Sequence, residues 1–180
     1  MTTTKTSPID LNQTMEQILA RYPSAQRALF QRYHVGGCSS CGFEPTDTLA
    51  QVCKDHNLLD TTSVVQTILA AHEVDQKMQV DPQQVKAWLD AGESFRFIDV
   101  RTPEEIAAAK IPQAEALDYH APEKYMQLPK DTKIVFSCKS GMRSMDVASY
   151  FIGHGFKNVF SMRGGIDGWR QQVDPRIPAC

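Results

Sequence analysis

The chain has 180 residues, 42% of them hydrophobic and 22% charged, with a formal net charge of −2. This length accommodates one good core, or one core and a small satellite, and the near-neutral charge excludes a global pull toward nucleic acid or an anionic membrane. Any anion site must therefore be local.

The opening segment MTTTKTSPID has no apolar signal-peptide core, and no later run approaches the ~20 apolar residues that span a bilayer. A cytoplasmic protein without membrane or nucleic-acid partners is expected. From Ile9 to Glu73 the pattern predicts short helices. Leu11, Met15, Ile18 and Leu19 recur at helical spacing, Pro23 interrupts them, and Ala25, Ala28, Leu29 and Tyr33 resume the stripe until Gly36-Gly37. VGGCSSCGFEP then reads as a loop, Thr46 as the cap of a third helix ending near Asn57, and Thr61 or Thr62 as the start of a fourth. Residues 1–73 are thus expected to form a small all-α domain, with a polar linker over 74–80.

From 81 to 180, strand and helix patterns alternate. Pro82 suits a first helical turn, Val85, Trp88 and Leu89 form an apolar stripe, and Gly92 closes that helix. FRFIDV predicts a strand, TPEEIAAAK a helix, EALDY a brief strand and PEKYMQL a helix. KIVFS then predicts a buried strand, RSMDVASYFIGHG a helix, KNVFS a strand and GIDGWRQQ a terminal helix. Such alternation predicts an α/β domain, with a mostly parallel sheet covered by helices on both faces. Ligands of such sheets bind outside the carboxyl ends of the strands, and Cys138 lies at one of those ends.

The five cysteines, Cys38, Cys41, Cys53, Cys138 and Cys180, are an odd number without framework spacing. In a reducing compartment they favour reactive or metal-binding thiols over structural bridges. After Cys138, the loop Lys139-Ser140-Gly141-Met142-Arg143 can turn its N–H groups inward, with Gly141 free to take a positive φ. The helix behind it adds unpaired N–H groups and its positive dipole end. These surroundings favour a thiolate nucleophile at neutral pH over a buried, inert cysteine. Loop length then discriminates between anions. A tyrosine-phosphatase-type loop has five residues between cysteine and arginine, enough to ring a phosphate; here four lie between Cys138 and Arg143. The tighter ring suits a single sulfur carried on Cys138 as a persulfide, so sulfur transfer leads and phosphate hydrolysis is the alternative.

FIDVRTPEEIAAAKIPQA, CKSGMRS and GGIDGW occur in that order between about Asp81 and Gln172, and together they resemble a single-domain rhodanese. The resemblance implies a two-step sulfurtransferase. The Cys138 thiolate takes a sulfane sulfur from a donor such as thiosulfate, and a thiophilic acceptor, cyanide or a cellular thiol, removes it. By the loop motif, Cys138 carries the sulfur and Arg143 supplies positive charge toward the donor. Lys139, Ser140, Gly141, Met142 and Ser144 form the substrate cradle. No metal or cofactor is expected. Ala109, Lys110 and Gln113 replace the family's frequent Gly, His and Gly, which puts local backbone in question more than chemistry. Asp99 and Arg101 either line the cleft or form an ion-pair set with Glu104 or Glu105 that fixes the strand-to-helix turn, the second being favoured. Arg163 reaches either the cleft or solvent, and Gly164-Gly165 read as a site of close backbone approach.

Cys38 and Cys41 form a C-x-x-C, which supports a redox disulfide, half of a tetrahedral metal site, or an inert pair. Cys53, His34 and His56 are further ligand candidates, but their spacing fits no common zinc pattern. The segment from about Ile9 to His72, with its tyrosine-then-glycine approach to the C-x-x-C and its capped helix, is similar to the hybrid-cluster-protein-associated redox-disulfide domain. It also resembles the N-terminal part of iron–sulfur-cluster repair proteins. Those resemblances imply thiol redox chemistry at Cys38 and Cys41, and thioredoxin-like or iron–sulfur proteins as partners beside the small sulfur donor and thiol acceptor. A Cys138 persulfide reduced by this dithiol would connect the two halves. Cys180 reads as a passive end residue, and a homodimer is compatible with the apolar helical faces. The competing reading for the whole chain is a metal- or cluster-binding interaction protein whose rhodanese-like half serves for docking.

Overall fold

The computed structural model describes residues 9–36 and 42–179, so Cys38, Cys41 and Cys180 lie outside the described residues. The chain divides into two compact units, Met1–Lys77 and Met78–Cys180.

Four helices belong to the first part of the chain: α1 Met15–Arg21, α2 Ser24–Tyr33, α3 Leu49–Asp55 and α4 Thr61–Met78. A capping box opens α1. The Thr14 hydroxyl accepts the Gln17 N–H at 3.3 Å, and the Gln17 side chain accepts the Thr14 N–H at 3.1 Å. Thr48 rather than Thr46 caps α3, because its hydroxyl accepts the Gln51 N–H at 3.2 Å. At the start of α4 the Ser63 N–H is taken by the Asp60 carboxylate at 2.9 Å. Met15, Ile18, Leu29, Leu49, Val52 and Ile68 close a single apolar core. The stretch expected as a linker is the last turns of α4 and a strand, β1 Gln79–Val80. Asp75 shows why: it is buried and ion-paired with Arg27 of α2, a long-range partner that polarity along the sequence does not reveal. None of the described helices is long and apolar enough to cross a membrane.

The second unit is an α/β layer structure. After β1 come α5 Pro82–Asp90, β2 Arg96–Asp99, α6 Pro103–Ala108, β3 Glu115–Ala116 and α7 Glu123–Met126. Then follow β4 Ile134–Ser137, α8 Met142–Gly153, β5 Val159–Met162 and α9 Gly165–Gln172. The strands form one sheet in the order β1-β5-β4-β2-β3, and every pair is parallel. Alternate strand residues face opposite layers. Phe97, Val135 and Met162 pack with Val85 of α5 and Trp169 of α9, whereas Ile98, Ile134 and Phe136 pack with Tyr125 of α7 and Phe151 of α8. All four residues of β4 are buried, since helices cover both faces.

This order creates a switch point between β2 and β4. The chain leaves β2 toward β3 on one side and β4 toward β5 on the other. The segment after β2 packs Ala109 and Ile111 on the first face, while α8 covers the second. The β2 end is fixed by an ion pair. Arg101 is fully buried, and its guanidinium bonds Asp99 at 2.8–3.1 Å and the carbonyls of Glu105 at 3.3 Å and Ala109 at 2.7 Å. Asp99 and Arg101 therefore pin the strand-to-helix turn, with each other and the α6 backbone as partners. Ala109 has extended backbone at φ −158°, so the departure from glycine there costs nothing.

Arg101→Ala leaves the Asp99 carboxylate buried without its cation. We expect a loss of about 3–5 kcal/mol in urea unfolding, and a much smaller change on removing the exposed cation of the Lys124–Asp118 pair.

Candidate active site

Cys138 follows β4 directly, and its side chain turns inward, leaving the residue only 1% exposed. Two donors meet its sulfur. The Gly141 N–H lies 3.1 Å from Sγ, and the Ser144 hydroxyl donates to the same atom at 3.4 Å. Ser144 is held in turn by Ser161 at 2.8 Å, on β5 beside β4. Gly141 stands at φ 95° as the N-cap of α8, where an added Cβ would also lie 3.1 Å from the Gly164 nitrogen. The sulfur thus sits at the positive end of a twelve-residue helix with two polar hydrogens aimed at it. Both donors converge on the one sulfur atom. Of the expected cradle, the structure brings Cys138, Gly141 and Ser144 together, and leaves Lys139, Ser140 and Met142 as an exposed rim.

The loop is anchored from below by α9. Ile166 and Asp167 donate their N–H groups to the carbonyls of Cys138 and Lys139 at 2.8 and 3.2 Å. This contact needs Gly165, whose φ is 54° and whose Cβ, if present, would lie 2.2 Å from the Cys138 carbonyl oxygen. The paired glycines permit backbone contact.

Arg143, expected to supply positive charge toward the donor, is engaged by a carboxylate. Its guanidinium forks onto the Glu105 carboxylate at 2.8 and 2.6 Å. Glu105 also closes the capping box of α6: its carboxylate accepts the Thr102 N–H at 3.0 Å and its own N–H bonds the Thr102 hydroxyl at 3.3 Å. The Arg143 hydrogen bonds, followed by that from Thr102, hold the Glu105 carboxyl down at about 2. Arg143 is pushed above its ordinary range mainly by Glu105, with the charge of Cys138 adding to the effect. Tyr119, after β3, donates its hydroxyl to the Val100 carbonyl beside this pair, and burial raises that hydroxyl. Sequence reasoning singled out neither Tyr119 nor Ser161, and only strand pairing reveals the second.

Arg163 lies toward the β1 edge, where its Nε bonds Gln79 at 2.9 Å and faces Asp81 at 3.5 Å. Two surface grooves of about 520 and 490 Å³ flank α6 and α7, and Cys138 lines neither. In the first unit Cys53 is buried in α3, which raises its thiol, His34 terminates α2, and the His56 ring meets the Gly42 carbonyl at 3.3 Å. Among the described residues, no group of three His, Cys, Asp or Glu is arranged to hold a metal.

A family model described as "Rhodanese-like domain" matches residues 81–172, just over half of the chain. YtwF of Bacillus subtilis (strain 168) is 39% identical over 99 residues, which are 54% of this chain and 95% of that protein. The thiosulfate sulfurtransferase GlpE of Pseudomonas syringae pv. syringae is 31% identical over 93 residues, 51% of this chain and 86% of its own length. Among solved structures, reduced Bacillus anthracis CoADR-RHD shares the fold at a TM-score of 0.50 and 22% identity, over 64% of this chain and 21% of that one.

The Glu105 shift dictates a pH signature. A carboxyl lowered on folding adds stability above its unfolded value near 4.5, and that stability disappears as pH falls toward 2. In urea titrations, the native chain should lose its advantage over Glu105→Gln between about pH 4.5 and 2, with a constant difference from pH 5 to 8.

Proposed function

The chain belongs to the rhodanese-like family, and from that membership we propose that it is a sulfurtransferase working through a persulfide on Cys138. The observation that carries this reading is the pair of hydrogens, from Gly141 N–H and Ser144 Oγ–H, aimed at one sulfur at a strand end. In the first step the Cys138 thiolate attacks the outer sulfur of thiosulfate. A new S–S bond forms, the old one breaks, and sulfite leaves with its electron pair. In the second step cyanide or an acceptor thiolate takes the terminal sulfur, giving thiocyanate or an acceptor persulfide and restoring the Cys138 thiolate. The donors that stabilise the thiolate also stabilise the persulfide anion. A loop with four residues between Cys138 and Arg143 fits one added sulfur better than a ringed phosphate.

The first unit extends the cycle in this proposal. The C-x-x-C at Cys38 and Cys41, in a segment similar to redox-disulfide domains, supports a role as reductant of the persulfide. One thiolate takes the sulfur from Cys138, and the second displaces it as sulfide, so two thiols are oxidised to a disulfide while the persulfide is reduced. Such a cycle needs reduced thiols and fits the cytoplasm.

Two measurements test these steps. Thiosulfate-to-cyanide transfer should be catalysed by the native chain and fall to background in Cys138→Ser, with no turnover of an aryl phosphate by either; transfer that survives the substitution overturns the mechanism. For the relay, Cys138 loaded with sulfur and freed of external thiols should release sulfide in a single turnover. Release that is undiminished in the Cys38→Ser/Cys41→Ser double variant sinks that step.

A further inference from the structure

The Glu105–Arg143 pair makes no hydrogen bond to the Cys138 sulfur, yet it joins α6 to α8 across the switch point where that sulfur sits. We infer that Glu105 determines donor specificity: by engaging and neutralising Arg143 at the edge of the Cys138 loop, it favours sulfane donors carrying a single negative charge over dianionic ones. This inference rests on the proposed sulfur transfer at Cys138.

Three features carry it. First, the fork is bidentate, with one carboxylate oxygen on each terminal guanidinium nitrogen, so the end-on edge of Arg143 is already occupied and its charge is paired. Second, Glu105 cannot swing away freely. Its carboxylate and its N–H both bond Thr102, so an anion that displaced it from Arg143 would disturb the cap of α6. Third, Arg143 stands in the first turn of α8, whose N-cap Gly141 donates to the Cys138 sulfur, so what neutralises Arg143 alters the field that an incoming donor meets. A dianion would feel an uncompensated Arg143 about twice as strongly as a monoanion at the same distance. With the pair closed, that extra attraction is lost. The class favoured includes thiosulfonates and the persulfide of a small thiol.

The chain itself supplies the variant that isolates charge. Gln17 closes the capping box with Thr14 as Glu105 does with Thr102, so Glu105→Gln keeps a residue able to cap α6 while removing the negative charge. The donors compared are thiosulfate, a dianion, and methanethiosulfonate, a monoanion that transfers its outer sulfur to the Cys138 thiolate and leaves as methanesulfinate. Native chain, Glu105→Gln, Arg143→Met and the double variant are assayed with saturating cyanide at low ionic strength.

Glu105→Gln should lower KM for thiosulfate about three- to tenfold, with a smaller fall for methanethiosulfonate and the change in KM rather than kcat. The gain should shrink as salt is raised toward ~0.5 M. Arg143→Met, which strands the Glu105 charge, should raise KM for thiosulfate, and the double variant should return the donor preference toward native. An unchanged donor preference in a folded Glu105→Gln chain overturns the inference. So does a double variant as poor toward thiosulfate as Arg143→Met alone, since Arg143 would then bind the dianion directly; an Arg143→Met chain whose KM for thiosulfate is unchanged also overturns it, and that arm needs no change at Glu105. A native chain that transfers sulfur from neither donor, or a Cys138→Ser chain that still does, removes the underlying reading instead.

Discussion

The site depends on one topological constraint: β2 and β4 are hydrogen-bonded neighbours, while the segments that follow them leave to opposite faces of the sheet. Two parallel strands whose connections diverge leave their carboxyl ends uncovered between them. Into that gap come the Cys138 loop from β4 and the Asp99–Arg101 turn from β2.

Each wall of the gap is held by a different kind of interaction. On the β2 side it is electrostatic, a buried guanidinium that satisfies a carboxylate and two backbone carbonyls at once. A buried ion pair contributes little net stability over an apolar substitute, but it tolerates few alternative geometries. On the β4 side the wall is backbone on backbone, with the first amides of α9 docked on the Cys138 and Lys139 carbonyls through a glycine that leaves no room for a side chain. The Cys138 sulfur is therefore placed by atoms that do not take part in chemistry. Its two hydrogen-bond donors come from the loop and from α8, and the latter is fixed by a hydroxyl on β5.

Much of this was legible in the order of residues. The alternation of apolar strands and striped helices after Pro82 carried the layer architecture, because both patterns are local and repeat with periods of 2 and 3.6. The motif CKSGMRS carried the loop, and the glycines at 164 and 165 carried the close approach. Partner choice was less legible. Sequence reasoning favours a structural role for Asp99 and Arg101 but offers Glu104 or Glu105 as their ion-pair partner, whereas the Glu105 carboxylate forks onto Arg143, thirty-eight residues away. Polarity alone assigns Asp75 to a linker, though Arg27 draws it into a helix. Likewise, Thr48 rather than Thr46 caps α3, a shift of two residues that only the hydrogen bond reveals. A charged side chain declares its sign in the sequence and its partner only in space.

The sequence by itself determined the α/β class, the strand that ends at Cys138 and the glycine that lets the loop turn. These are properties of neighbours in the chain, set by sterics, periodicity and backbone freedom. Tertiary structure alone decided that Ser161 supports Ser144, that Glu105 occupies Arg143, and that α9 holds the loop from below. Those contacts join elements 17 to 38 residues apart, and their existence follows from which strands pair and which face each helix covers.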